Sequence, residues 1–188
     1  MKELFDVHCH MVPGVDDGAA DLEESLAMLK MQHEDGVRKI IITPHYRRRM
    51  FETPAKKVHE QFLKLQEAAK KEYPDMSLYL GCELHSNMDL QDILEKRKYV
   101  TMAGSSYVLL EFSEGDSAQH IRERVYNVLS CGYEPIIAHV ERYGLTTEQI
   151  RSLAAIPRVI FQITVETLAE RQMLPLLDRI ASMGVPVV

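Results

Sequence analysis

Five successive aliphatic runs in this 188-residue chain are each followed or closed by an imidazole or a carboxylate. Leu4-Phe5-Asp6-Val7 leads into His8-Cys9-His10, and Lys39-Ile40-Ile41-Ile42 leads into Thr43-Pro44-His45. Leu78-Tyr79-Leu80 leads into Gly81-Cys82-Glu83, and Glu111 ends Tyr107-Val108-Leu109-Leu110. Pro135-Ile136-Ile137-Ala138 leads into His139-Val140-Glu141-Arg142. If these runs are parallel strands, their carboxyl ends gather on one face, where α/β proteins bind ligands. His8, His10, His45, His139, Glu83 and Glu111 would then share a small volume. Without cations between them, the two carboxylates would repel or take up protons. Imidazole and carboxylate suit Mn, Fe or Zn better than Mg or Ca, and six donors exceed what one tetrahedral ion needs. The set therefore points to two or three divalent ions. His8 and His10, two residues apart on a strand, face the same way, which turns Cys9 toward the core. Taken singly, each residue also has a structural explanation, as a hydrogen-bonded core histidine, a helix cap or a strand end. Recurrence at five strand ends favours the metal site.

Positive charge lies close to these donors. Arg47-Arg48-Arg49 comes directly after His45-Tyr46, and Arg142 lies three residues beyond His139. Guanidinium groups beside a metal cluster suit a phosphate monoester, whose oxygens accept paired hydrogen bonds. The arginine triplet also reads as a solvated loop, so Arg142, tied to a strand end, is the stronger of these positions. Pro13-Gly14-Val15-Asp16-Asp17-Gly18 reads chiefly as a turn capped by aspartate, with a contact to the histidines as the alternative. His33, His59 and His120 fall in helical patterns as surface or packing residues, and His85 lies near the site face without an assigned role.

The elements that must position these residues alternate. Beyond the five runs above, Val159-Ile160-Phe161-Gln162-Ile163 and Val185-Pro186-Val187-Val188 read as strands, and several runs are apolar at consecutive positions, as in strands buried on both faces. Asp21-Leu22-Glu23-Glu24 opens a helix that ends at Gly36, and Thr53-Pro54 places an N-cap before a proline at the first helical position. Ser117 opens a helix closed by Gly132, and Thr146-Thr147-Glu148-Gln149 opens another. Glu170 to Met183 forms the last helix before Gly184, and a weaker one spans Asp89 to Arg97. Seven strands with intervening helices predict a parallel α/β architecture, either an open sheet or a barrel.

Composition agrees with one soluble domain spanning residues 1–188. Hydrophobic residues make up 46% and charged residues 27%. The net charge of −6 argues against a nucleic-acid partner. The three cysteines form no C-x-x-C pair and no disulfide framework, which fits a reducing cytoplasm. The N-terminal stretch has no apolar leader, and no run is long enough to insert in a membrane. None of the cysteines begins the C-x₅-R of a cysteine-dependent tyrosine phosphatase.

Together these residues resemble the PHP (polymerase and histidinol phosphatase) superfamily, and within it the bacterial manganese-dependent protein-tyrosine phosphatases of capsule and exopolysaccharide loci. The resemblance rests on Asp6-Val7-His8-Cys9-His10, Val15-Asp16-Asp17-Gly18, Glu23-Glu24-Ser25, Thr43-Pro44-His45 and Met50-Phe51-Glu52-Thr53-Pro54. It continues through Gly81-Cys82-Glu83, Leu110-Glu111-Phe112 and Ala138-His139-Val140-Glu141-Arg142-Tyr143. It implies a distorted (β/α)₇ barrel with three metal ions at the strand carboxyl ends. His8, His10, His45, Glu83, Glu111 and His139 match the family's ligands, and Arg142 matches its phosphate-contacting arginine. It also implies a phosphotyrosine substrate in the tail of a cognate bacterial tyrosine kinase. The family pattern continues with an Asp-x-His after the seventh strand and further helices, and the sequence stops at Val188 before them. Two other readings therefore stand beside it: a histidinol-phosphatase-like enzyme acting on a small phosphate ester, and a PHP-like binding module without catalysis.

Overall fold

The computed structural model describes residues 4–96 and 101–188, in two compact units. The first comprises residues 4–84 with 101–105, and the second residues 85–96 with 106–188.

In the first unit, β1 (Leu4–Cys9) is followed by α1 (Leu22–Glu34), β2 (Val37–Ile42), β3 (His45–Tyr46), α2 (Ala55–Glu72) and β4 (Ser77–Leu80). β1, β2 and β4 form a parallel sheet with β2 in the middle. β3 pairs in parallel with β5 (Glu83–His85), setting His45 opposite Glu83. The unit boundary falls inside β5. On central β2, Ile40 and Ile42 are fully buried with Leu29 of α1 and Leu65 of α2 in one core cluster. Cys9 packs against that cluster, as its alternation with His8 and His10 predicts.

Helix ends follow local chemistry. Asp21 accepts from the Glu24 amide at the start of α1, and Gly36 closes its far end with φ +91°. The start of α2 differs from the sequence expectation. Thr53 was expected at the N-cap, but Pro54 holds that place in an extended conformation. The Thr53 hydroxyl donates instead to the Val15 carbonyl at 2.7 Å, tying the start of α2 to the loop after β1.

The second unit contains α3 (Leu90–Glu95), β6 (Tyr107–Glu111), α4 (Ala118–Ser130), β7 (Glu134–Ile137), α5 (Thr147–Ala154), β8 (Ile160–Phe161), α6 (Val165–Ala169) and α7 (Leu174–Ser182). β6, β7 and β8 run in parallel, with β7 central. α4 buries Ile121, Val125 and Val128. Ser117 and Thr146 cap α4 and α5 as read from the sequence, and Asp89, the expected start of α3, caps it; Arg97, the expected end of α3, lies outside the described residues. Two expectations are corrected. The run expected as one helix from Glu170 to Met183 is a 3₁₀ turn at Arg171–Met173 followed by α7, with Pro175 in the first turn of α7, where its missing amide costs nothing. The expected strand at Val185–Val188 is reduced to a bridge between Phe161 and Val187.

Thr146 forms a full capping box with Gln149. Thr146→Ala is expected to lower stability by about 1 kcal/mol, a thermal shift of roughly 2–4 °C for a chain of this size, measured by differential scanning fluorimetry.

Candidate metal centre

The end of β1 delivers His8 and His10, β3 begins with His45, and β5 begins with Glu83. These four side chains converge on one atom. Glu83 Oε2 lies 3.1 Å from His8 Nε2, 3.2 Å from His10 Nε2 and 3.1 Å from His45 Nδ1. The Glu83 side chain is 1% exposed. The rings of His10 and His45 are 4.5 Å apart, and Phe51 stacks on His45 at 5.1 Å.

One carboxylate oxygen has two lone pairs, so three ring nitrogens cannot all donate to it in good geometry. A cation among them satisfies the three nitrogen lone pairs and the oxygen together, and borderline N/O donors of this kind suit Mn, Fe or Zn. The donor set therefore fits a divalent metal. Burial alone would depress the His10 imidazolium. Its hydrogen bonds to Asp16 and Glu83, with the charges of both, outweigh that and push its pKa up to about 10. His45 is held below the ordinary histidine range, chiefly by burial.

Two residues of the loop after β1 join the site, which bears out the contact to the histidines that the sequence offers as the alternative to a turn. Asp16, with no exposed side-chain surface, accepts from His10 Nδ1 at 2.8 Å and from the His45 amide at 2.9 Å. Asp17 brings a carboxylate oxygen within 4.8 Å of nitrogens of both His10 and His45, an arrangement able to hold an ion. The sequence signal was the adjacent pair Asp16-Asp17 before Gly18, read there chiefly as a turn. The turn explains only the Gly18 amide that Asp16 accepts at 3.1 Å.

In the second unit, Glu111 ends β6 and His139 follows β7. His139 adopts φ +30° and ψ +56°, a left-handed conformation uncommon for a side chain of its size. It is held there by Gln162, whose side-chain oxygen accepts from the His139 amide at 2.7 Å and whose carbonyl accepts from Val140. The Tyr143 hydroxyl accepts from the Phe112 amide at 3.1 Å and lies 3.2 Å from His139 Nδ1. It thus connects the segment after Glu111 to His139, and the Nδ1 contact leaves Nε2 as the ring's second functional atom. The 3₁₀ turn Val140–Tyr143 buries Glu141 and leaves Arg142 exposed. Glu141 Oε1 accepts from the Thr164 amide, the Thr164 hydroxyl and the Thr167 hydroxyl, which fixes the turn that carries Arg142.

The structure thus brings together His8, His10, His45 and Glu83 in the first unit, and places Glu111 and His139 at neighbouring parallel strand ends of the second. Arg47 is half-buried and Arg48 exposed, on a tight turn closed by the antiparallel bridge between Arg47 and Phe51. His85, unassigned from the sequence, is buried: Nδ1 accepts from the Asn87 amide and Nε2 meets the Ser113 hydroxyl at 3.3 Å. His33 pairs with Asp75 at the surface, His59 is exposed, and His120 packs edge-on to Phe112. Among the described residues, no helix is long and apolar enough to cross a membrane.

A model of the family "Capsular polysaccharide synthesis, CpsB/CapC" matches residues 4–169. The tyrosine-protein phosphatase CpsB of Streptococcus pneumoniae is 41% identical over 140 residues, 74% of this chain and 58% of that protein. The tyrosine-protein phosphatase YwqE of Bacillus subtilis is 30% identical over 139 residues, 74% of this chain and 55% of that protein. These matches therefore span less than two thirds of the relatives' own length. A chain from the crystal structures of YwqE from Bacillus subtilis and CpsB from Streptococcus pneumoniae, described as unique metal-dependent tyrosine phosphatases, superposes with a TM-score of 0.87. That superposition has 26% identity and covers 98% of this chain and 78% of the other. It bears out the α/β fold class read from the sequence.

Proposed function

The chain belongs to the CpsB/CapC family of capsular polysaccharide synthesis, and from that premise we propose that it is a cytoplasmic, metal-dependent phosphatase. Its substrate in this reading is phosphotyrosine in the tail of a bacterial tyrosine kinase that governs capsule or exopolysaccharide assembly. The observation that carries the proposal is the convergence of three imidazole nitrogens on Glu83 Oε2 at 3.1–3.2 Å.

In this reading residues 1–188 act as one PHP-like domain, with His8, His10, His45 and Glu83, joined by Glu111 and His139, as the protein ligands of two or three ions, manganese foremost. Asp17 adds a carboxylate beside His10 and His45. A divalent cluster supplies Lewis-acid activation of water at neutral pH and neutralises phosphoryl charge. The remaining work belongs to side chains. Arg142, exposed on its anchored turn, binds the non-bridging phosphoryl oxygens through its planar fork and steadies the charge that builds on them. Arg47 and Arg48 receive the anionic peptide around the phosphotyrosine. The thiols of Cys9 and Cys82 take no part. Burial, reinforced by nearby carboxylates, raises both well above the ordinary thiol range, away from the thiolate that a cysteine phosphatase needs.

The test is hydrolysis of a phosphotyrosine peptide with a chelator and with a thiol-alkylating reagent. Chelation is expected to abolish turnover, manganese to restore it, and alkylation to leave it unchanged. Loss on alkylation with resistance to chelation would overturn the proposal. Faster turnover of histidinol phosphate than of the peptide would move the substrate to small esters.

A further inference from the structure

We propose that Asp16 is the positioning residue that orients His10 for metal binding, holding the imidazole by Nδ1 so that Nε2 presents its lone pair on the Glu83 side. The inference rests on the reading of His10 as a ligand and goes beyond it by naming what fixes the ring.

The carboxyl group of Asp16 has no exposed surface and is surrounded by donors. Oδ1 accepts from the Gly18 amide at 3.1 Å, which is a local turn contact. Oδ2 is committed to distant partners: His10 Nδ1 at 2.8 Å, and the amide of His45, twenty-nine residues away, at 2.9 Å. An ionised carboxylate only accepts hydrogen bonds, so the ring nitrogen facing Asp16 must carry the proton. An imidazole gives up one of its two N–H protons to bind a cation, so with the Nδ1 proton held by Asp16 the nitrogen freed for the metal is Nε2. Nε2 is the atom that lies 3.2 Å from Glu83 Oε2. Rotated by half a turn, or in the other tautomer, the same ring would offer C–H or N–H to a cation. The oxygen that fixes His10 also fixes the backbone at His45, so two donors from separate strand ends share one buried anchor. Carboxylate–histidine contacts of this kind orient metal-bound imidazoles and raise their basicity.

Asp16→Asn discriminates this role from a structural or a charge effect. The carboxamide has the same shape but no charge and only one acceptor oxygen: turned toward His10 Nδ1 and the His45 amide, it sets its amino group against the Gly18 amide, and turned the other way it drives the ring proton to Nε2. Manganese titration by calorimetry, run on the wild-type chain, Asp16→Asn, His10→Ala and the double variant, is expected to show a 10–100-fold loss of affinity for Asp16→Asn. In the His10→Ala background the same change should cost less than about threefold. Nitrogen-15 spectra of the zinc-loaded wild-type chain should show His10 protonated at Nδ1 and ligated through Nε2. Equal losses in both backgrounds would mark a general charge effect and overturn the proposal, as would unchanged affinity. Ligation of wild-type His10 through Nδ1 would overturn it even if Asp16→Asn does not fold. A wild-type chain that binds no manganese would instead overturn the ligand reading, and this inference with it.

Discussion

Replacing Glu83 with glutamine is expected to abolish divalent-metal binding and, with it, hydrolysis of phosphotyrosine peptides. Glutamine keeps the shape and the burial but removes the charge around which His8, His10 and His45 are arranged, at 3.1, 3.2 and 3.1 Å. Its carboxamide oxygen is a weak ligand, and its amino group would point donors at nitrogens that must present lone pairs. Removing one member of a buried charged set typically costs about 3–5 kcal/mol, and each 1.4 kcal/mol is about tenfold in affinity. A fall of roughly two to four orders of magnitude in manganese affinity follows. Elemental analysis after dialysis and peptide turnover measured together check it. Glu114→Gln, which alters an exposed carboxylate in a loop of the second unit, is the control and should change neither. A Glu83→Gln chain that keeps its metal would remove the observation on which the functional proposal stands.

The donors of this site were legible because each sits directly at the end of an apolar run, and the pairing of strand and donor is local in sequence. Where both signals were local, the structure followed the sequence: Asp21, Ser117 and Thr146 cap their helices, and Cys9 turns inward between two histidines. Contacts made at a distance were less legible, and the one between the Asp16-Asp17 turn and the histidines stood only as an alternative to a plain turn. Asp16 sits six residues from His10 and twenty-nine from His45, and no spacing rule connects an aspartate in a turn to a backbone amide in another strand. Gln162 and His139 are separated by twenty-three residues, and only the fold shows that one holds the strained backbone of the other. Short elements were hidden for a different reason. β3 has two residues and β5 three, too few for any periodicity, yet they place His45 opposite Glu83. α6, five residues long, was likewise absent from the sequence reading.

Gly18 carries the most severe steric demand in the loop beside the site, and Gly18→Ala is expected to damage both stability and metal binding. A Cβ at this position would lie 2.0 Å from the carbonyl oxygen of His10, 2.4 Å from its Cβ and 2.7 Å from its carbonyl carbon. These are backbone and near-backbone atoms of a proposed ligand, so no flexible side chain can swing away to make room. The loop folds back on β1 through the Ala19 amide, which donates to the His10 carbonyl at 3.0 Å, and the Gly14 amide, which donates to the Ala19 carbonyl at 2.8 Å. Relieving the overlap means lifting residues 18–19 from His10. That loses the Ala19 bond, worth about 1 kcal/mol, and adds overpacking strain of about 1–3 kcal/mol. It also displaces the Gly18 amide from Asp16 and so disturbs the anchor that His10 and His45 share. A loss of about 3 kcal/mol would lower the unfolding temperature by roughly 6–12 °C for a chain of this size, and manganese affinity should fall with it. Gly115→Ala is the comparison, since an added Cβ there meets no atom within 4 Å, and it should leave both quantities unchanged. Equal behaviour of the two variants would mean that the loop does not hold His10 as the structure describes.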